Sequence, residues 1–254
     1  TIFLNSVKNN YYSIIDIIIK NIKDYQWLNI LSYYEENNNI FLYLMENYYD
    51  YLEVNEDLFF DILYTGNLEC LKIFNKFYKG TIDYTKIGND DYVLLISYNN
   101  TDLLDYVYNL NKDVCFNNND YIIKLIVKLS KCNILKWFFN KFTFNNLQID
   151  DDYLYYTAIM NNNLNIIQLL YEHDDIDKFN ENKKKYLKIA SQTKDISVFR
   201  WFENKFDELD LSFEDNILIN NCISCNNIIL LKYLLSKIDI DINYDEGIII
   251  RTAF

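Results

Sequence analysis

The stretch Gly66-Asn67-Leu68-Glu69-Cys70-Leu71-Lys72-Ile73-Phe74 decides how this chain reads. It begins with a residue that visits positive φ freely, continues with a polar residue, and then sets two apolar pairs around Lys72. Apolar residues at i, i+1, i+3 and i+4 make one buried stripe on an α-helix. The segment therefore predicts a tight turn followed by an amphipathic helix.

Working outward, the pattern returns along the chain. Asn162-Asn163-Leu164 carries Ile166-Ile167 and Leu169-Leu170, Lys194-Asp195-Ile196 carries Val198-Phe199 and Trp201-Phe202, and Asn226-Asn227-Ile228 carries Leu230-Leu231 and Tyr233-Leu234. Weaker copies begin at Asn10, Asn37, Asn99 and Ser130, with stripes centred on Asp16, Tyr43, Asp105 and Lys136. The starts fall at 10, 37, 66, 99, 130, 162, 194 and 226, so the spacing settles at 32 residues. Self-similarity at such a period marks a repeat architecture. The leading residue is Asn in five copies, Gly in one, and Ser130 or Lys194 in the others. A tight helix–helix turn needs one residue at positive φ, and Asn adopts that conformation more readily than other non-glycine residues.

A second helix precedes each turn, for example at Leu58 to Tyr64, Tyr121 to Leu129, Tyr153 to Met160, Tyr186 to Gln192 and Ile217 to Ser224. Polar segments with an apolar–acidic or apolar–Asn pair follow the stripes, at Ile82-Asp83, Ile176-Asp177, Leu209-Asp210 and Ile242-Asn243. The unit is helix, tight turn, helix, long loop. Such a hairpin cannot bury its apolar face alone, so the copies are expected to stack. The expected fold is all-α, a solenoid of stacked helix-turn-helix repeats. One repeat domain spans 1–254, its second helices beginning near 11, 38, 67, 100, 131, 163, 195 and 227, with a partial repeat at the C-terminus.

The segment Gly66 to Lys72 resembles the turn and second helix of an ankyrin repeat, and Asp241-Ile242-Asn243 resembles the end of the ankyrin loop. Ala158, Ala190, Cys222 and Ala253 match the small-residue position of the ankyrin first helix. The sequence is most similar to the Asn- and Ile-rich ankyrin proteins of large DNA viruses, of giant-virus or poxvirus type, and of amoebae. It departs from the family in lacking the Thr-Pro-Leu-His element, and bulky residues such as Ile62 and Ile126 replace small ones in several first helices. Other helical-hairpin repeats have similar lengths, but the tetratricopeptide pattern is not seen.

Composition bounds the function. Half of the 254 residues are hydrophobic, ample for a core, and the Asn, Ile, Lys and Tyr excess beside absent Pro has the look of an A/T-rich genome. Acidic residues outnumber basic ones 37 to 24, a net charge of −13, which argues against a nucleic-acid partner. Apolar runs fall short of the roughly 18 residues of a membrane span. Five scattered Cys fit a reducing intracellular compartment, host cytoplasm for a viral protein, although no targeting signal is visible. The chain begins and stops inside a repeat, so a longer parent protein is expected.

Chemistry-bearing motifs read as bland. Cys222-x-x-Cys225 lacks a second ligand pair for zinc, Asp174-Asp175-Ile176-Asp177 lacks calcium-loop spacing, and Lys183-Lys184-Lys185 reads as a solvated loop. His173, the only His, lies in a predicted loop without a nucleophile beside it. No enzyme, cofactor or metal site is expected. Trp137, Phe138, Trp201, Phe202 and Tyr233 read as core residues.

The resemblance implies a scaffold that binds another protein through its concave face and loop tips. The positions just before each turn are Tyr64, Thr65, Ser97, Tyr98, Lys128, Leu129, Met160, Asn161, Gln192, Thr193, Ser224 and Cys225. A viral kinship would imply host interaction, such as substrate recruitment for ubiquitination. The alternative is a structural repeat protein, monomeric or weakly self-associating end to end, with no specific ligand.

Overall fold

A computed structural model describes residues 5, 6, 9, 11–21, 38–52, 54–110, 119–142, 152–206 and 209–238. The expectations at Asn10, Asn37, Ile242-Asn243 and Ala253 lie outside the described residues. Among those described, every regular element is helical. The helices are α1 (Tyr12–Asn21), α2 (Asn38–Tyr48), α3 (Glu56–Thr65), α4 (Leu68–Phe77), α5 (Asn89–Ser97) and α6 (Thr101–Leu110). They continue with α7 (Asn119–Lys128), α8 (Cys132–Lys141), α9 (Tyr153–Met160), α10 (Leu164–His173), α11 (Ile176–Glu181), α12 (Lys183–Ala190), α13 (Ile196–Lys205), α14 (Phe213–Ser224) and α15 (Ile228–Leu235). The chain divides into two compact units, Thr1–Asn117 and Asn118–Phe254.

In the first unit α3–α4 and α5–α6 are hairpins. First helix packs on first helix, α3 against α5, and second on second, with α4 between α2 and α6. The second unit holds the hairpins α7–α8, α9–α10, α12–α13 and α14–α15, with the first helices α7, α9, α12 and α14 in successive contact. The predicted stripes supply the seams. Cys70, Leu71 and Phe74 of α4, and Ile166, Ile167 and Leu170 of α10, are buried. Each such aliphatic or aromatic side chain contributes about 1.5–3 kcal/mol on leaving water.

The turns take the predicted conformation almost throughout. Gly66 sits at φ 73°, Asn99 at 54°, Ser130 at 56°, Asn162 at 51° and Asn226 at 53°. In the α9–α10 turn Asn163 N–H donates to the Ala158 carbonyl at 2.9 Å and Asn162 N–H to Ile159 at 2.9 Å. The α14–α15 turn repeats this, Asn227 N–H to Cys222 at 2.8 Å and Asn226 N–H to Ile223 at 3.0 Å. Paired closures of this kind satisfy the last carbonyls of the first helix. Ala158 and Cys222, both fully buried, occupy the position whose carbonyl is capped.

Lys194 breaks the expectation, being absent from the left-handed residues. The α12–α13 connection runs from Ser191 to Asp195. This longer loop leaves α12 through a right-handed Ser191 and enters α13 through an extended Asp195. Thr193 Oγ1 holds it closed, donating to the carbonyls of Ala190 at 2.8 Å and Asp195 at 3.3 Å.

The polar residue after the turn does more than the pattern suggested. The side chains of Asn67, Asn163 and Asn227 each accept, at 3.1 Å, the backbone N–H three residues on, capping α4, α10 and α15. Asn100 accepts from Leu103 N–H at 3.0 Å. The amide groups of Asn67 and Asn227 also reach beyond their own hairpin. Asn67 donates to Asn38 Oδ1 at 2.9 Å, and Asn227 donates to the Thr193 carbonyl at 2.6 Å, across 29 and 34 residues of sequence. The period in the sequence is thus the separation of hydrogen-bonded partners.

The segments between hairpins are less loop-like than expected. Ile176-Asp177 opens α11, whose N-cap Asp175 accepts from Asp177 N–H at 3.0 Å and Lys178 N–H at 3.4 Å. Phe179 of α11 is fully buried and stacks against Phe206 at 5.0 Å and Tyr186 at 5.3 Å. Lys183-Lys184-Lys185 form the first turn of α12 instead of a solvated loop. Short connecting segments become ordered here because an aromatic side chain pays their ordering entropy by burial.

Substitutions at two positions test this construction of the turns. Gly66→Ala is expected to cost about 1–2 kcal/mol, the left-handed penalty, because a Cβ there would also stand 3.0 Å from the Tyr98 ring. An unchanged urea midpoint would refute the turn geometry. Asn227→Ala removes a cap and a cross-hairpin bond, a loss of about 2 kcal/mol. Asn227→Asp keeps only the capping acceptor, so denaturant unfolding should rank it between wild type and Asn227→Ala.

Candidate interaction surface

The residues preceding each turn lie at the ends of the first helices, where the chain leaves the core. Tyr64, Ser97, Tyr98, Lys128, Met160, Asn161, Gln192 and Ser224 are exposed, and Thr65, Leu129 and Cys225 are half-buried. Thr193 is the correction, at 5% exposure. Its hydroxyl closes the α12–α13 loop and its carbonyl accepts from the Asn227 amide of the next hairpin, so it belongs to the frame and leaves the candidate surface.

In the first unit these positions form an aromatic edge. Tyr98 OH donates to the Tyr64 carbonyl, joining α5 to the end of α3. The Tyr98 ring covers Gly66. Partial burial and hydrogen bonding to the Asp91 carboxylate raise the Tyr64 phenol above its ordinary value. Asp91 in turn accepts the Gly88 N–H at 2.7 Å at the start of α5. Tyr64 still presents 43% of its surface. The edge is therefore held in place by the protein yet open on one side.

In the second unit the corresponding edge carries Lys128, Met160, Gln192 and Ser224 from α7, α9, and the ends of α12 and α14. Tyr156, one turn before Met160 on α9, is also exposed. Beneath this edge Asn221 Nδ2 donates to the Lys188 carbonyl at 3.1 Å and to Ser191 Oγ at 2.9 Å, tying α14 to α12. Each unit thus displays changing side chains on a repetitive, cross-linked base.

The opposite helices carry a second series. Phe138 and Phe202 are fully buried, as expected, whereas Trp137, Trp201 and Tyr233 are only half-buried. Trp201 meets Tyr171 edge-on at 5.5 Å, and the Arg200 guanidinium lies 4.9 Å above Tyr233. These side chains bridge α10 to α13 and α13 to α15. They lie one position before the innermost stripe residue, which rotates them to the helix flank.

The residues weighed for metal binding and catalysis sit in separate packed environments among the described residues. No group of three or more His, Cys, Asp or Glu is placed to hold a metal ion. Cys222 is buried, and burial pushes its thiol up to about 12, with the neighbouring Cys225 adding to the rise. His173 is the last residue of α10, not a loop residue. Its ring stacks on Phe139 at 4.1 Å and its Nδ1 lies 2.9 Å from the Leu169 carbonyl. No described helix is long and apolar enough to cross a membrane.

The comparisons with known proteins leave the surface to be read on its own terms. No protein-family model matches the sequence, and no curated protein is similar to it.

The thiols provide a check on burial at the turns. Burial also raises Cys70 to about 12, with the Glu69 charge adding to it. In the native protein at pH 8, Cys70 and Cys222 should resist alkylation while the half-buried Cys132 and Cys225 react first. Mass spectrometry of trapped peptides reads the order, and early labelling of Cys222 would contradict the packing of α14.

Proposed function

We propose that the chain is a protein-binding scaffold of ankyrin type, a solenoid whose concave edge and hairpin tips recognise another protein. The observation that carries this reading is the contrast at the tips. Buried stripe residues stay apolar from hairpin to hairpin, while Tyr64, Ser97, Lys128, Met160, Gln192 and Ser224 differ and stay exposed. A rigid base with interchangeable side chains is how solenoids build extended recognition surfaces. On this reading the chain is no enzyme, and a host-interaction or ubiquitination-adaptor role follows if its likeness to viral ankyrin proteins reflects kinship.

A second reading is a self-associating structural protein. The observation in its favour is the exposed apolar face of α15, where Ile228, Ile229 and Leu235 stand out, Ile229 at 65% exposure. Equivalent positions to Ile229 carry Glu69, Asn133, Asn165 and Ser197.

Affinity capture from cell lysate with wild type and two alanine sets separates the readings. Replacing Tyr64, Ser97 and Tyr98, or Lys128, Met160 and Gln192, should each lower partner recovery at least several-fold with the melting temperature nearly kept. Recovery unchanged by both sets would refute the tip surface. Recovery of only the bait, with a mass that rises with concentration in light scattering and falls on Ile229→Asn, would establish self-association instead.

A further inference from the structure

Second helices meet one another through two fixed faces. Asn75 Nδ2 of α4 donates to Tyr106 OH of α6 at 2.9 Å. Tyr171 of α10 meets Trp201 of α13 at 5.5 Å, and Glu203 of α13 accepts from Tyr233 OH of α15. Asn75, Tyr171 and Glu203 occupy one position of the repeat, and Tyr106, Trp201 and Tyr233 occupy another. The first position therefore faces the following hairpin and the second the preceding one. Further contacts extend both faces. Cys132 Sγ at the start of α8 lies 3.8 Å from Asn163 Oδ1 of the following hairpin. Asn67 and Cys70 reach back to Asn38 Oδ1 at 2.9 and 3.2 Å.

By this register Ile228, Leu231 and Leu235 of α15 form a forward face, at the positions of Cys132, Leu135 and Phe139. Ile228 is exposed, Leu235 is 48% exposed and Leu231 is half-buried. At the Leu231 position of earlier hairpins, Leu71, Leu135, Ile167 and Phe199 are fully buried. The opposite face is open on α1. Tyr11, Ile14 and Ile17 stand at the backward positions of Asn67, Cys70 and Trp201, and all three are exposed, Ile17 at 63%. At the Ile14 position, Cys70, Ile166, Val198 and Leu230 are fully buried. Tyr11 and Ile14 line a shallow groove with Tyr12 and Ser13. The Asp16 carboxylate is engaged elsewhere, accepting from Tyr43 OH at 2.8 Å and Tyr48 OH at 2.7 Å on α2.

On the premise that the chain self-associates through α15, we propose that its forward face docks on the backward α1 face of a second copy, head to tail. Leu235 of one copy then meets Ile17 of the other as Tyr171 meets Trp201, and Ile228 meets Tyr11 as Cys132 meets Asn163. The occupant is a second copy because the two faces are the two halves of a seam that the chain already makes within itself. Pairing α15 with α15 would set two forward faces together, which none of the seams above does. Neither face carries a charged side chain. Copies with a net charge of −13 repel one another, and they meet at least cost where no carboxylate loses water. Removing both apolar faces from water drives the contact. The interface is heterologous, with a different surface on each partner.

Light scattering of the full chain, as wild type, Ile17→Asp, Leu235→Asp and an equal mixture of the two variants, tests the pairing. Both positions are exposed, so the variants should melt as wild type does, and Ile17→Asn and Leu235→Asn serve if either melts early. Wild-type mass should rise with concentration. Each variant alone should stay monomeric at the same concentrations, because it lacks one half of the contact. The mixture should recover the mass of a pair, since each variant keeps the face that the other has lost. Undiminished association of Ile17→Asp alone would overturn the head-to-tail pairing and leave self-association through α15 standing. A mixture that stays monomeric would overturn the pairing as well. Wild type that is monomeric at every concentration, because another segment or a different protein covers these faces, would overturn both.

Discussion

A two-helix hairpin of ten-residue helices has one apolar stripe per helix and no means of burying either by itself. Everything else in this protein answers that constraint. Burying Ile166, Ile167 and Leu170 of α10 requires a neighbouring hairpin in matching register. Polar groups at the turns then help set the register, because a left-handed residue closes the first helix in most hairpins and Asn67, Asn100, Asn163 and Asn227 open second helices. The Asn227 and Asn67 amides serve their own helix and the next hairpin at once. Apolar burial is non-directional, so it drives stacking without specifying alignment. The asparagine bonds, with fixed donor and acceptor positions, supply the alignment.

Asparagine abundance takes on a structural meaning in this light. Four glycines among 254 residues could not serve every turn. Asn99, Asn162 and Asn226 take left-handed conformations, and Asn67, Asn100, Asn163 and Asn227 cap helices. A compositional bias has thus been absorbed by two positions at which asparagine is chemically well suited. Aromatic residues fill a comparable double role, as stripe residues at Phe138 and Phe202 and as flank bridges at Trp201 and Tyr233. Between hairpins, Phe179 anchors a short helix where a bare loop would otherwise run.

The same economy shapes function. Polar groups in the seams are consumed in joining hairpins, which leaves the ends of the first helices as the place where side chains can vary without disturbing a neighbour. Thr193 shows the limit of that freedom, since its loop needs its hydroxyl and the next hairpin needs its carbonyl. Asp152 shows the converse, a carboxylate enclosed in a seam where Lys185 and Tyr186 of the next hairpin both donate to it.

The helices, their order and their turns were legible in the sequence because each depends on local periodicity. Apolar stripes at helical spacing, a residue suited to positive φ and a polar cap are short-range signals, and they located α4, α10, α13 and α15 directly. Tertiary structure alone decided that Thr193 turns inward, that Ile176 to Glu181 coils into α11, and that Lys185 meets Asp152 across 33 residues. Those outcomes depend on which side of a stacked hairpin a side chain faces. Periodicity within one helix carries the position of the apolar stripe but not the identity of the polar partner that the next hairpin brings to it.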